Sequence, residues 1–143
     1  ATMRAYEVEQ TLDGEVLFPY HDKAGEVVAY KVRGAEKTFK VEGDWKVATL
    51  FGQDKFHKGG KVITLTEGEF DALAVYQMTG VPAVSIRTGA QGALSDCKAA
   101  FEYIDSFDKV VICFDNDDAG KDATKKVAEL FGSKACMFRH IAD

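Results

Sequence analysis

KVITLTEGEFDALAV, residues 61–75, and KVVICFDNDDAGKDA, residues 109–123, follow one plan. Each opens with an apolar run of strand length, passes through a knot of acids and continues at helical spacing. Between them, Pro82 leads into the short apolar run AVSI (83–86), and KACMF (134–138) is a last strand-like run. The residues from 61 onward therefore predict the order β-α-β-α-β-α-β. Their strands are apolar almost throughout, which is the pattern of a small parallel sheet covered on both faces.

The helices are read from their apolar spacing and their ends. Phe70, Leu73, Ala74 and Met78 predict a buried face for the first helix, and Gly80 is a left-handed stop. Ser95 is placed to cap a second helix that buries Cys97, Ala100, Phe101 and Ile104. Ala123, Val127, Leu130 and Phe131 define a third, closed by Gly132.

Residues 1–60 have a different texture. Short alternating stretches flank Asp22-Lys23-Ala24-Gly25, which predicts a β-hairpin with Gly25 at positive φ. Arg33-Gly34-Ala35-Glu36 reads as a second turn before a strand at Lys37–Val41. Gly59-Gly60 marks a joint. The expected organisation is a β-rich basic lobe at 1–60 and an α/β domain at 61–143.

Composition excludes several classes. No apolar run approaches membrane-spanning length, and the N-terminus shows no charged region followed by an apolar one, the pattern of a secretory signal; with the cysteine usage below, the expected setting is cytoplasmic. Three scattered cysteines, Cys97, Cys113 and Cys136, form no CxxC pair, which argues against a zinc ribbon and a disulfide framework. Cys113 and Cys136, inside apolar runs, are expected to be buried. The net charge of −5 is unevenly spread. Residues 31–61 hold eight basic and four acidic side chains, a balance of +4 that leaves −9 for the rest. A basic face for phosphates and an acidic cluster for metal would produce such a split.

In parallel α/β sheets, ligand chemistry gathers at the carboxyl ends of the strands. Glu67 follows one strand there, and Asp115 and Asp117 follow another. Their alternation turns two carboxylates the same way if the strand persists. Three converging carboxylates repel, and a divalent cation with all-oxygen ligation, Mg²⁺ above all, relieves that repulsion. Acids also decorate helix N-termini for dipole reasons alone, which is the plainer reading of Glu69, Asp118 and Asp122. An EF-hand is excluded because Ala119 and Lys126 stand where the loop needs ligands. Gly68 and the Arg87–Gly92 loop are two candidate anion-approach turns at the same edge. Neither a Walker A motif nor GxGxxG is present.

ITLTEGEFDALAV and VVICFDNDDAGKDA together resemble the Toprim signature, a lone Glu after one strand and a DxD after another. That catalytic fold is shared by bacterial-type primases, topoisomerases and some nucleases. AYKVRGAEKTFKVEG and the following LFG resemble the lobe that precedes Toprim in primase-helicases of short-tailed phages and their Twinkle relatives. The resemblance implies that Glu67 is general base and metal ligand, with Asp115 and Asp117 as metal ligands. It also implies that Lys31, Lys37 and Lys40 contact nucleotide phosphates. The implied function is Mg²⁺-dependent primer synthesis, with Mn²⁺ as a substitute, from ribonucleoside triphosphates on single-stranded DNA. Zinc is not expected within this chain. A zinc-binding template-reading domain and a helicase domain are expected on the full-length protein, in the cytoplasm of a phage-infected bacterium. The family carries a further acid just past the last strand; either Asp143 is that acid or the chain stops short of it. Two rival readings share the same residues: a Toprim nuclease or topoisomerase, and a non-catalytic single-stranded DNA-binding module.

Overall fold

The structure, a computed structural model, describes residues 1–34, 36 and 38–137. It divides into two compact units, Ala1–Phe56 and a second that begins at His57.

The first unit is an antiparallel sheet in the order β1 (Glu9–Gln10), β2 (Val16–His21), β3 (Val27–Arg33), β4 (Phe39–Gly43), preceded by a single turn of helix, α1 (Thr2–Ala5). The β2–β3 turn forms as its composition predicts. Asp22 Oδ1 accepts from the N–H groups of Ala24 and Glu26, both at 2.9 Å, and Gly25 sits at φ +87°. The core is aromatic. Tyr6 stacks on Phe51 at 5.3 Å, and Phe18 and Tyr20 meet Phe51 at 5.6 and 5.7 Å. All four rings are buried, each contributing roughly 1.5–3 kcal/mol of transfer free energy as an upper bound.

The second unit is a parallel sheet in the order β6 (Ala83–Ser85), β5 (Val62–Thr66), β7 (Lys109–Cys113), β8 (Ala135–Met137). Helix α2 (Glu69–Thr79) packs on β5 and β6, and α5 (Asp118–Phe131) packs on β7 and β8. The chain steps from β5 to β6 on one side, then returns through α3 (Ala93–Ala99) and α4 (Phe101–Asp105) to β7 on the other. The strand order thus reverses between β5 and β7, and a doubly wound sheet opens its crevice there, at the carboxyl ends of those two strands.

Three local expectations are corrected. Helix α2 buries Glu69, Ala72 and Leu73, while Phe70 and Met78 are exposed at 46% and 84% and Ala74 faces solvent. Its sequence is apolar on nearly every side, so two stripes one residue apart fit equally, and packing against the sheet selects between them. Ser95 caps nothing. The helix starts three residues earlier, at Ala93 with Gly92 in the cap position, after a 3₁₀ turn over Ala90–Gly92, and breaks at Ala100. Cys97 and Ile104 are buried as expected, whereas Phe101 is partly exposed and stacks flat on Phe131 at 5.5 Å. Of the cysteines only Cys97 is buried; Cys113 and Cys136 are half-exposed. Burial, with Asp96 adding to it, pushes the Cys97 thiol up to about 12, so it packs as an inert hydrophobe.

Candidate metal centre

The crevice at the reversal of strand order holds the acids. In the β5–β7 register Thr66 pairs with Cys113, so Glu67 and Asp115 leave the sheet side by side. The Asp115 N–H donates to Glu67 Oε1 at 3.1 Å. Just before Glu67 the chain is tied down by buried Thr66, whose hydroxyl donates to the Gly68 carbonyl at 2.9 Å and lies 3.3 Å from that of Val84. Asp117 caps α5, its Oδ1 accepting from the Gly120 N–H at 2.7 Å. Capping occupies one oxygen of a carboxylate that has two.

Gly120 is a residue that reading the sequence for acids misses. A Cβ there would run into the Asp115 carbonyl and touch Asp117 Oδ1. The first turn of α5 therefore folds tightly under the Asp115–Asp117 loop only because position 120 lacks a side chain. The signal was present in DNDDAG, where a glycine sits inside a helix rather than at its end. Gly68, by contrast, has ordinary extended backbone at φ −134°, and a Cβ there would make only normal contact with Asp71.

The surroundings of Glu67 shift its carboxyl. Glu67 is pushed up to about 7 from its usual 4.5, first by burial, with the charges of Asp115 and Asp117 adding to it and the Asp115 N–H opposing. No cationic side chain appears among these causes. The donor set is all oxygen and carries excess negative charge, which fits a hard divalent cation. A third loop approaches the same edge. The Arg87 N–H and Nε both donate to buried Asp96, at 2.7 and 3.0 Å, and Gly89 turns at φ +81°. Glu69 is not a surface decoration: its side chain is buried at the start of α2.

The first unit contains another acidic group. Glu7, His21 and Asp54 offer ligand atoms within 4.8 Å of one another. Lys55 already lies there, 3.0 Å from Glu7 Oε2 and 3.0 Å from Asp54 Oδ2. Among the described residues, that mutual approach is found in this group and not in Glu67–Asp115–Asp117.

Of the expected phosphate-contacting lysines, Lys31 and Lys40 stand on opposite faces of the first sheet. Lys31 is opposite Val41, and Lys40 is opposite Val32. Lys31 is buried at 6% exposure, with Nζ 5.5–5.8 Å from the ring centres of Tyr20, Phe39 and Trp45. Lys40 is exposed and pairs with Glu42 at 3.2 Å. Lys37 and Asp143 lie outside the described residues.

A parallel sheet in the order β6-β5-β7-β8, with Glu67 and an Asp115-x-Asp117 pair at its reversal point, defines the Toprim class of catalytic domain. Residues 64–142 match the Toprim-like family, and the chain belongs to it. It is 41% identical over 113 residues to the DNA helicase/primase of Enterobacteria phage T3, covering 78% of this chain and 20% of that protein. The Twinkle homolog protein of Arabidopsis thaliana is 29% identical over 135 residues, covering 85% of this chain and 19% of that one. The primase fragment of the bacteriophage T7 primase-helicase superposes with a TM-score of 0.87 at 34% identity, covering 98% of this chain and 61% of that one. The chain thus spans about a fifth of the curated relatives it matches. Toprim domains bind divalent metal, and no described helix is long and apolar enough to cross a membrane.

Proposed function

We propose that this chain is the catalytic core of a DNA primase, joining ribonucleotides into short primers on single-stranded DNA. The observation that carries the reading is the meeting of Glu67 and Asp115 at the reversal of strand order, with Asp117 two residues on. Its relatives bear the names primase and helicase/primase. Glu67, Asp115 and Asp117 would hold Mg²⁺, or Mn²⁺ in its place. When bound, the cation neutralises charge on the triphosphate and steadies its geometry.

The chain's own residues supply the rest. The primer's 3′-hydroxyl oxygen forms a bond to the α-phosphorus while the bond to the β-phosphate oxygen breaks and pyrophosphate departs. Glu67 takes the hydroxyl proton. Lys31, Lys37 and Lys40 neutralise triphosphate and template phosphates. On the full-length protein a zinc-binding template reader and a helicase domain accompany this core, in the cytoplasm of an infected bacterium. The present chain lacks the paired cysteine spacing of a zinc reader, so it should bind single-stranded DNA with little sequence preference.

The test is primer synthesis from labelled ATP and CTP on single-stranded DNA, run beside a cleavage assay on the same template. Short primers dependent on Mg²⁺ or Mn²⁺ support the reading. Cleavage without synthesis points to a Toprim nuclease, and binding without either product points to a non-catalytic module.

A further inference from the structure

The carboxyl edge of the second unit's sheet carries a cation close to its acids. Thr66 pairs with Ser85 across β5 and β6, and the Ile86 N–H donates to the Thr66 carbonyl at 3.1 Å. Glu67 and Arg87 therefore leave the sheet from the ends of adjacent strands, which run about 4.8 Å apart. That separation is within the span of an arginine side chain. A guanidinium is the group best suited to pair with a carboxylate, through parallel N–H donors. Glu67 is thus a natural partner for Arg87 on this edge.

The side chain is turned to α3 instead. Arg87 Nε donates to Asp96 Oδ1 at 3.0 Å, and the Arg87 backbone N–H donates to Asp96 Oδ2 at 2.7 Å. The Asp96 side chain is 3% exposed. One buried carboxylate therefore grips one residue twice, by main chain and by side chain, with both oxygens engaged. No cation figures among the groups that shift Glu67. The first unit shows what the opposite arrangement looks like: Lys55 lies 3.0 Å from both Glu7 and Asp54 and occupies the place of an ion. A guanidinium within about 4–6 Å of Glu67 would favour its charged form in the same way, and would compete with a metal for that charge.

We propose that Asp96 is a positioning residue that sequesters the Arg87 guanidinium from Glu67, leaving the charge of Glu67, Asp115 and Asp117 to a divalent cation. The proposal rests on the metal-binding reading of those three acids and adds a residue from outside their cluster. Asp96 acts through Arg87, and its effect is on charge rather than on contact with metal or substrate.

Asp96→Asn is nearly isosteric. It keeps one acceptor oxygen but presents an NH₂ to the other donor, so it cannot hold both donors of Arg87. Calorimetric titration of the whole chain with Mg²⁺ should show Asp96→Asn binding at least roughly tenfold more weakly. Adding Arg87→Gln to that variant should restore the affinity, because the competing charge is gone. A loop merely loosened by Asp96→Asn would not recover when a second contact is deleted, so rescue separates the charge effect from structural support. Unchanged affinity in Asp96→Asn, or no rescue by Arg87→Gln, overturns the proposal. Should Asp96→Asn fail to fold, Asp96→Ser asks the same question with a smaller neutral acceptor. Metal-free denaturant melts in mildly alkaline buffer read the redirection without any metal. In the Asp96→Asn background, Glu67→Gln and Arg87→Gln should couple in a double-mutant cycle; with Asp96 in place they should add. Additivity in both backgrounds overturns the proposal. The two readings fail differently. Mg²⁺ binding that Glu67→Gln abolishes and Asp96→Asn leaves intact overturns sequestration alone. Coupling in the Asp96→Asn background, with no Mg²⁺ bound by the unmodified chain, overturns the metal reading alone.

Discussion

Two acidic groups of this chain differ in what surrounds them. In the first unit, Glu7 and Asp54 share Lys55 at 3.0 Å each, and His21 lies 3.3 Å from one and 3.1 Å from the other. The His21 Nδ1 contact is close but not aligned as a hydrogen bond. The Lys55 side-chain contact leads the causes that hold the Glu7 carboxyl below its usual 4.5. Burial works against the Lys55 charge, yet Asp54 and Glu7 outweigh it and hold that ammonium above its usual 10.5. In the second unit, Glu67 accepts from the Asp115 N–H and lies in the field of the Asp115 and Asp117 charges, no cation acts on it, and it moves the other way, up to about 7. Two clusters of acids thus mean different things. The first group contains its own cation and ties the segment after α1 to the rest of its unit; the second lacks one and suits an exogenous metal. Mutual proximity of ligand atoms favours the first group, but charge balance favours the second, and charge balance is the better guide because Lys55 already fills the place of an ion.

The largest expected effect breaks this comparison directly. Asp115→Asn should lower metal-supported nucleotidyl transfer at least roughly 10²–10³-fold, since it removes preorganised charge from the reacting centre. Its metal-free melting temperature should hold level or rise, because carboxylate repulsion is relieved. Asp54→Asn should behave oppositely, costing about 1–3 kcal/mol of stability, because it leaves Glu7 as the one close anion for both Lys55 and His21. Denaturant melts with and without Mg²⁺ check both, and a large metal-free loss for Asp115→Asn would make that group structural as well.

Gly120→Ala comes next. The added methyl meets the Asp115 carbonyl, so the loop must shift or the first turn of α5 must open, at about 1–3 kcal/mol. Mg²⁺ affinity should fall with stability, measured by calorimetry and melting on the same sample. Unaltered affinity would mean that the Asp115–Asp117 loop is not positioned by that turn.

These variants also mark what could be read from sequence. The strand ends and their acids were legible because β5 and β7 are apolar runs that stop abruptly, and Glu67, Asp115 and Asp117 stand just beyond. The phase of α2 was not, since apolar residues surround it on most sides and only sheet packing excludes the Phe70–Met78 stripe. Glu69, two residues from the obvious acid Glu67, read as a helix-terminus charge, yet its side chain is buried. The Glu7–His21–Asp54–Lys55 group was invisible for another reason. Its members come from three segments far apart in the chain, and Glu7 reaches it from a left-handed backbone at φ +61°, the one non-glycine residue at positive φ among those described. No local pattern announces such a residue.

The pH dependence of metal-free stability should sharpen the contrast by its sign. The folded-state pKa of Glu67 lies above its usual 4.5, at about 7, so the folded chain holds that proton more tightly than the unfolded one. Its contribution is greatest below about 4.5 and is lost as pH rises to about 7. Glu7 is lowered, so its contribution is present above its usual value and lost as pH falls. Glu67→Gln should therefore remove a decline in melting temperature between pH 5 and pH 7, and Glu7→Gln should remove a decline on acidification; these windows are approximate. Saturating Mg²⁺ should flatten the first trend and leave the second unchanged.

The smallest effect belongs to the basic residues of the first unit. Lys40 is exposed and paired with exposed Glu42, an arrangement worth little to stability because solvent screens it. Lys40→Ala should therefore leave the melting temperature unchanged. If Lys40 neutralises a template phosphate, the change should weaken DNA binding and reduce the log–log salt slope by about one unit. Lys31→Ala should differ. That ammonium is buried among Tyr20, Phe39 and Trp45, so its removal should also disturb Trp45 fluorescence in the free chain. Salt titrations of both variants against the unmodified chain separate a phosphate contact from a packing role. An unchanged slope for both would remove the two lysines from the phosphate-binding set and leave the Glu67–Asp115–Asp117 centre standing on its own charge balance.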